Sequence, residues 1–194
     1  EGTVQITDRK VNDELGVFQD RVLFSFSGST IREEPSEVWI SDGTESGTTR
    51  IFSEQDRIQV ESFHAAADRF YFQMGTSAER FFVSDGTAAG TRELAIELLD
   101  TKSYSLKAAF ALGQQQLLVI NENSASRLLQ VHPDGTTSSI TAALSIELDT
   151  FSRFDHQQVG ERLYFFDEED TLWQSDGTIA GTQPLDLSIS LGEG

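Results

Sequence analysis

The 194-residue sequence has no cysteine, only three prolines and no long run of apolar residues. The lack of cysteine excludes disulfide bridges, thiolate metal ligands and a cysteine nucleophile. A membrane-spanning helix needs about 20 consecutive apolar residues, so we expect no membrane insertion. The apolar fraction of 38% is typical of a globular chain rather than a disordered one.

Basic residues are also scarce, with 14 Lys and Arg against 32 Asp and Glu, for a net charge of −18. Such a surface repels phosphate backbones and anionic lipids, which argues against nucleic acid and membrane surfaces as partners. Only Lys10, Lys102 and Lys107 are lysines. An acidic, lysine-poor surface fits an extracellular, cell-surface or periplasmic location. Because the chain begins at Glu1 and not at methionine, we expect it to be a piece of a longer precursor.

One short motif occurs four times. Ser-Asp-Gly-Thr stands at 41–44, 84–87 and 175–178, and Pro-Asp-Gly-Thr stands at 133–136. The intervals between the aspartates are 43, 49 and 42 residues. In three copies a second Gly-Thr follows, at 47–48, 90–91 and 181–182. A unit of about 40–50 residues repeated at a near-constant interval is typical of propeller blades.

Short apolar segments surround each motif and are bounded by Gly, Asp, Asn and Ser, which favours strands over helices. One strand is predicted before each motif, at 38–40, 81–83, 128–131 and 172–173. Another follows each motif, at 50–52, 93–96, 140–144 and 185–187. A third, rich in aromatic residues, lies upstream, at 22–26, 70–72, 117–120 and 163–166. A fourth, innermost strand is expected around Leu15, Phe63, Phe110 and Phe154.

The sequence therefore predicts an all-β fold, a propeller of four blades with four antiparallel strands each. The predicted blades cover 11–58, 59–104, 105–150 and 151–194. Residues 1–6 match the segment 89–94, so 1–10 are predicted to hold the last strand of a preceding blade. Since the fourth blade has its own last strand, the strand at 2–7 has no place in a four-bladed ring. We interpret the chain as a segment of a larger propeller or repeat array.

The motif is predicted to build a tight turn. Aspartate accepts hydrogen bonds from backbone N–H groups two residues on, and glycine adopts the positive φ that other residues resist. A ligand-binding role for the aspartates is the alternative. The predicted turn residues are Asp42, Gly43, Thr44, Gly47, Asp85, Gly86, Thr87, Gly90, Asp134, Gly135, Asp176, Gly177, Thr178 and Gly181.

Three aromatic residues precede the motif at the same offset: Trp39, Phe82 and Trp173. We predict that they are buried between adjacent blades. In the third copy the same offset falls on Val131, which predicts looser packing of that blade.

The motif with its flanking residues resembles the bacterial family named for its Glu-Leu-Trp-x-x-Asp-Gly-Thr repeat. Residues 37–44 match every fixed position but one, 171–178 match all but the glutamate, and 80–87 have phenylalanine for tryptophan. The third copy is degenerate. The resemblance implies an extracytoplasmic repeat protein and supplies no catalytic residues.

Few residues suggest a site outside this repeat. His64, His132 and His156 lack the local spacing of zinc ligands, although two of them fall in predicted innermost strands. The densest acidic run, Asp167, Glu168, Glu169 and Asp170, is interpreted as a solvated turn, with a weak calcium site as the alternative. Paired carboxylates for glycoside hydrolysis have too many combinations among 32 acids to single out one pair.

The leading hypothesis is a non-enzymatic scaffold or protein-interaction propeller, with no cofactor and no catalytic residue. Its expected partners are further blades of its precursor or other protein chains. The first alternative is a carbohydrate-binding, lectin-like or glycoside-processing propeller, with a glycan as ligand. The second is a calcium-stabilised adhesin segment.

Overall fold

A computed structural model describes residues 5, 7–29, 33–55, 59–75, 79–96, 104–122, 125–149 and 156–185. Within these residues the chain forms four separate antiparallel sheets, each of four strands that are neighbours in sequence. Each sheet is a simple up-and-down meander, because every strand pairs with the one before it. The predicted all-β fold of four propeller blades is thereby confirmed.

The strands are short, and each blade contributes its four in chain order. Blade 1 consists of β1 (Gly16–Phe18), β2 (Arg21–Phe26), β3 (Ser36–Ser41) and β4 (Thr49–Glu54). Blade 2 consists of β5 (Gln59–Ala66), β6 (Arg69–Gly75), β7 (Arg80–Ser84) and β8 (Arg92–Glu93). Blade 3 consists of β9 (Tyr104–Leu112), β10 (Gln115–Glu122), β11 (Ala125–Val131) and β12 (Thr137–Ser139). Blade 4 consists of β13 (His156–Val159), β14 (Arg162–Phe166), β15 (Leu172–Ser175) and β16 (Gln183–Pro184).

The first two strands of every blade are joined by a two-residue hairpin. The residues that close these hairpins are the pairs Phe18 and Arg21, Ala66 and Arg69, Leu112 and Gln115, and Val159 and Arg162. This common register gives a residue-by-residue alignment of the four blades. Phe18, Ala66, Leu112 and Val159 therefore occupy equivalent positions.

The core lies between blades rather than within them. Blade 1 and blade 2 share one cluster, which includes Ile40, Val38, Phe70 and Phe72, all completely buried. Blades 2 and 3 share a second cluster around Tyr71 and Leu118, and blades 3 and 4 a third around Leu117 and Leu163. Each middle blade thus buries one face against the preceding blade and the other against the following one. The first strands lie on the side where the blades meet, since β1 contacts β5 and β5 contacts β9.

One predicted strand is wrong. Residues 140–144 form a short helix, α1 (Ile140–Leu144), and the fourth strand of blade 3 ends before it, at Ser139. The Ser139 side chain caps the helix by accepting a hydrogen bond from the Ala142 N–H at 3.1 Å. Ser145 ends the helix in the left-handed region, with φ of 55°. The helix is compatible with the core because its first residue, Ile140, is completely buried between blades 3 and 4.

The innermost strand of blade 1 does not contain Leu15, although the sequence predicted that it would. Leu15 precedes β1, and its side chain is 61% exposed. Phe63 and Phe110 lie in β5 and β9 as predicted. Phe154 and most of the predicted strand at 2–7 lie outside the described residues. No helix among the described residues is long and apolar enough to cross a membrane.

Candidate functional site

The repeated motif closes the hairpin between the third and fourth strands of each blade. In blade 1, the Asp42 Oδ1 atom accepts hydrogen bonds from the Thr44 N–H at 2.9 Å and from the Thr44 hydroxyl at 2.7 Å. The Thr44 Oγ1 in turn accepts from the Gly47 N–H at 2.9 Å. Gly43 has φ of 90°, a conformation that strongly favours glycine. The hydrogen bonds that hold the turn are therefore made mostly between residues of the motif itself.

The second Gly-Thr belongs to the same turn for a steric reason. A Cβ atom added to Gly47 would collide with all three atoms of the Asp42 carboxyl group, so only glycine leaves room for the aspartate there. Thr48 follows and donates its hydroxyl to the Thr44 carbonyl at 2.6 Å. Gly90 faces Asp85 and Gly181 faces Asp176 in the same way.

The turn hydrogen bonds also set the acidity of the aspartates. Hydrogen bonds from the Thr44 side chain and N–H hold the pKa of Asp42 below its ordinary value. Thr87 lowers the pKa of Asp85 in the same way, and Thr136 that of Asp134. Aspartates stabilised as anions by their own turn suit a structural role at neutral pH.

The third copy of the motif keeps the aspartate turn but sits in a different hairpin. The Asp134 Oδ1 atom accepts from the Thr136 N–H at 2.9 Å and from its hydroxyl at 2.7 Å, as in the other copies. The register is shifted, however, because Val131 pairs with Gln116 where the other blades have the serine of the motif. Leu129 is the structural counterpart of Trp39, so the assignment of Val131 to that position is wrong. Since Leu129 is only 2% exposed, the position is well packed in blade 3.

The three motif aromatics differ in burial. Phe82 is buried between blades 1 and 2, with ring centroids 4.8 Å from Phe52 and 4.9 Å from Phe72. Trp173 is half-buried, stacks on Phe165 and packs against the core shared with blade 3. Trp39 is also half-buried, although it occupies the position equivalent to Phe82. Trp39 faces away from blade 2, on the side where the described residues contain no other blade.

The acidic run at 167–170 forms a turn. Both carboxylate oxygens of Asp167 accept hydrogen bonds from the protein, the shortest from the Thr171 N–H and the Trp173 Nε1–H, each 2.8 Å long. Burial tends to raise the pKa of Asp167, but these bonds outweigh it and the pKa is lowered. The Glu168 N–H donates to the Glu147 carbonyl at 2.9 Å and ties the turn to the segment after α1.

The three histidines do not meet. The His64 Nε2 lies 3.2 Å from the Leu106 carbonyl, and burial lowers the pKa of this imidazole. His132 contacts the Ser138 hydroxyl, and the His156 ring packs edge-on against Phe110. Among the described residues no group of three or more His, Asp or Glu side chains is arranged to hold a metal ion.

Polar side chains also bridge neighbouring blades, a feature that the sequence analysis missed. The Gln73 side chain is 1% exposed, donates to the Tyr104 carbonyl at 2.9 Å and accepts from the Leu106 N–H at 2.6 Å. The Glu61 and Glu79 carboxylates lie 2.9 Å and 2.6 Å from the same Nε2 atom, so the two amide hydrogens are shared among three acceptors. Burial and the neighbouring Glu79 raise the pKa of Glu61. The strands β6 and β9 belong to different sheets, and the Gln73 side chain links them by hydrogen bonds to the backbone of β9.

Blade 4 leaves its outward face open. Val159 is 61% exposed, whereas its equivalents Phe18, Ala66 and Leu112 are at most 5% exposed. Phe166 is 43% exposed, although its counterparts in the other blades are buried: Ser25, Gln73 and Val119. We call this surface the blade 4 face. The sequence alone did not reveal it, because the alignment of hairpins that identifies Val159 required the strand register.

Blade 1 has an open face on the opposite side, which we call the blade 1 face. Leu15 and Val17 are 61% and 71% exposed there. A cleft lined by Thr7, Leu15, Val22 and Phe24 runs along it. The described residues therefore end in an unpaired blade surface on both sides.

Comparisons with known proteins add structural similarity only. No protein-family model and no curated protein sequence matches the chain. It is similar to a prolyl endopeptidase structure with 13% identity over 86% of this chain and 24% of that one, at a TM-score of 0.47. It is similar to a nidogen–laminin complex with 11% identity over 89% and 78% of the two chains, at 0.44. It is also similar to an exo-β-1,3-galactanase from Clostridium thermocellum with 11% identity over 89% and 47%, at 0.42.

The chain spans about a quarter of the prolyl endopeptidase chain and about half of the galactanase chain. Because all three TM-scores lie below 0.5, the fold assignment rests on the chain's own sheets. The class of protein defined by these sheets is a β-propeller module.

Proposed function

We propose that this chain is a non-enzymatic propeller module that serves as a scaffold or protein-interaction unit in a larger assembly. The observation that carries the proposal is the open blade 4 face. There, Val159 and Phe166 expose apolar surface at positions that are buried against a following blade everywhere else in the chain. Apolar side chains that are exposed here but covered by a following blade elsewhere suit this face to bind another blade or protein chain.

The repeated turn supports the same proposal. Its aspartates use their side chains within the turn, and its glycines are required by the backbone and by the aspartates themselves. The repeat therefore stabilises the blades and leaves the end faces for binding. We further propose an extracytoplasmic location, on the acidic, lysine-poor composition and on the resemblance to the Glu-Leu-Trp-x-x-Asp-Gly-Thr repeat proteins.

A ligand and substrate screen tests this function against the carbohydrate alternative. We expect the purified chain to bind no member of a glycan array saturably and to hydrolyse no member of a panel of glycosides. A control chain with Phe166→Asp should give the same result. Saturable binding of one glycan class, or turnover of one glycoside, would contradict the proposal and support a carbohydrate-active propeller.

A further inference from the structure

One contact recurs at the boundaries between blades. In blades 2 and 4, the glycine of the motif turn lies against the blade that precedes it. A Cβ atom added to Gly86 would meet Phe18 at 3.3 Å and Ile40 at 3.5 Å, both in blade 1. A Cβ atom added to Gly177 would likewise meet Leu112 in blade 3, at 3.7 Å. A motif turn from one blade thus packs against the first hairpin of the blade before it.

One half of this contact is uncovered in blade 1 and the other half is uncovered in blade 4. A Cβ atom added to Gly43 would find nothing within 4 Å, unlike one added to Gly86 or Gly177. Val159, the equivalent of Phe18 and Leu112, is 61% exposed. Gly43 and Val159 are therefore the two complementary sides of the turn-to-hairpin contact that joins blade 1 to blade 2 and blade 3 to blade 4. Neither of them makes this contact with another described residue of the chain.

A second observation concerns the contacts that residues 7–9 make with blade 1. Glu54 at the end of β4 forms an ion pair with Arg80 of blade 2, with 2.6 Å between Oε2 and Nη1. By the alignment of residues 1–6 with 89–94, Arg9 is equivalent to Glu54, and Glu37 is equivalent to Arg80. Arg9 pairs with Glu37, so the same contact is made with the charges exchanged.

The guanidinium of Arg9 also lies over the Phe26 ring, 3.9 Å from its centroid. Residues 7–9 thus occupy, against blade 1, the place that the end of an outer strand occupies against blade 2. In the described part of blade 4 the outer strand ends at Pro184, the equivalent of Arg50. The equivalents of residues 7–9 in blade 4 are residues 186–188, which lie outside the described residues.

We propose that the blade 4 face binds the blade 1 face of a second copy of this chain. Val159 packs against the partner's Gly43 turn as Phe18 packs against Gly86. Two copies joined at both ends form a closed ring of eight blades with no open face, which satisfies twofold symmetry. This inference rests on the proposed function, because it names the partner of the open faces.

The oligomeric state of the full chain is the first test. We expect light scattering and sedimentation to give the mass of two copies. Val159→Asp should raise the dissociation constant of the dimer about tenfold or more, since it places a carboxylate in an apolar contact. Ile179→Asp is the matched control, because Ile179 is an exposed apolar residue whose equivalents Glu45 and Ala88 are exposed in blades 1 and 2. It should leave the dimer unchanged.

Cross-linking tests the geometry and exploits the lack of cysteine in the chain. Val159→Cys and Glu45→Cys are made as separate variants, mixed, and treated with a thiol cross-linker. Because Glu45 is two residues from Gly43, a spacer of about 10 Å spans the expected distance. The mixture should give a cross-linked dimer that contains one of each variant, and neither variant alone should do so.

Three results would overturn this inference. A chain that stays monomeric at high concentration would exclude the second copy as the occupant. Cross-linking of Val159→Cys to itself would indicate a face-to-face dimer. A ladder of larger oligomers would exclude the closed ring. None of these depends on the glycan and glycoside screen, so a failure of this inference is distinguishable from a failure of the proposed function.

Discussion

At the scale of single residues, the motif aspartate has two roles that depend on each other. Its carboxylate accepts hydrogen bonds from the threonine two residues on, and it also lies flat against the glycine five residues on. The aspartate side chain can therefore take this position only when the residue five positions on is glycine. A motif that keeps aspartate but loses this glycine needs a different hairpin, as blade 3 has.

The dependence between Asp85 and Gly90 is testable by a double-mutant cycle. Gly90→Ala should reduce the free energy of unfolding by about 1–3 kcal/mol, because the new methyl group displaces the Asp85 carboxylate from Thr87. In an Asp85→Ala background the same change should cost clearly less. Urea denaturation of the four proteins measures both values. Equal costs in the two backgrounds would show that the carboxylate does not restrict residue 90.

Two acidic residues should respond to pH in opposite directions. The folded pKa of Asp85 is lowered by hydrogen bonds from Thr87, so its contribution to stability is present above its ordinary pKa of 3.8 and is lost as the pH falls. The folded pKa of Glu61 is raised by burial and by Glu79, so ionised Glu61 destabilises the fold as the pH rises through that pKa.

Asp85→Asn should therefore lose less stability than the wild type between about pH 5 and about pH 3. Glu61→Gln should be more stable than the wild type near neutral pH, with the gain vanishing below the ordinary glutamate pKa of 4.5. Urea midpoints at several pH values measure both effects. A Glu61→Gln gain that persists in acid would contradict the assignment.

At the scale of strands, neighbouring blades are joined by side chains where the backbones do not pair. Gln73 satisfies one carbonyl and one N–H of β9 from a completely enclosed position. The Gln158 amide makes a similar bond to the Ala111 carbonyl, 2.9 Å long, but it is exposed. The two glutamines differ mainly in access to water.

That difference gives a matched pair of variants. Gln73→Leu should cost about 2–4 kcal/mol, because the Tyr104 carbonyl and the Leu106 N–H lose their partner in a dry site. Gln158→Leu should stay within about 0.5 kcal/mol of the wild type, since water replaces its bond. Denaturant titration compares the two, and similar losses would contradict the proposed bridging role of Gln73.

At the scale of the whole molecule, burial of a repeated residue depends on whether a neighbouring blade is present. Phe82 and Trp39 occupy the same position in consecutive blades, yet Phe82 is 2% exposed and Trp39 is only half-buried. Blade 1 covers Phe82 with Phe52, whose ring centroid is 4.8 Å away. The described residues provide no corresponding blade for Trp39.

Alanine substitutions at Phe82 and Trp39 should reflect this difference in burial. Phe82→Ala should cost about 3–5 kcal/mol, as for an aromatic residue in a packed core. Trp39→Ala, despite the larger side chain, should cost at least about 1 kcal/mol less at low protein concentration. The comparison is made by urea denaturation. A larger loss for Trp39→Ala would show that another part of the chain buries it fully.

The sequence by itself determined the four-strand unit, its repetition and the turn. These are local properties: a hairpin that needs Asp, Gly and Thr at fixed offsets leaves its pattern in the chain whatever surrounds it. The strand assignment failed at Ile140–Leu144, where the register of the shorter hairpin ends β12 early and only the core between blades 3 and 4 fixes where Ile140 must lie.

Only the tertiary structure decided which residues are equivalent across blades and which faces are open. Counting back from the motif made Val131 the equivalent of Trp39, whereas strand pairing shows that the equivalent is Leu129. The two differ because the third hairpin places its aspartate two residues farther from the sheet. In the same way, nothing in the local sequence distinguishes Val159 from Leu112. One is exposed and the other buried because burial depends on a neighbouring blade, and a neighbour is a property of the assembled molecule.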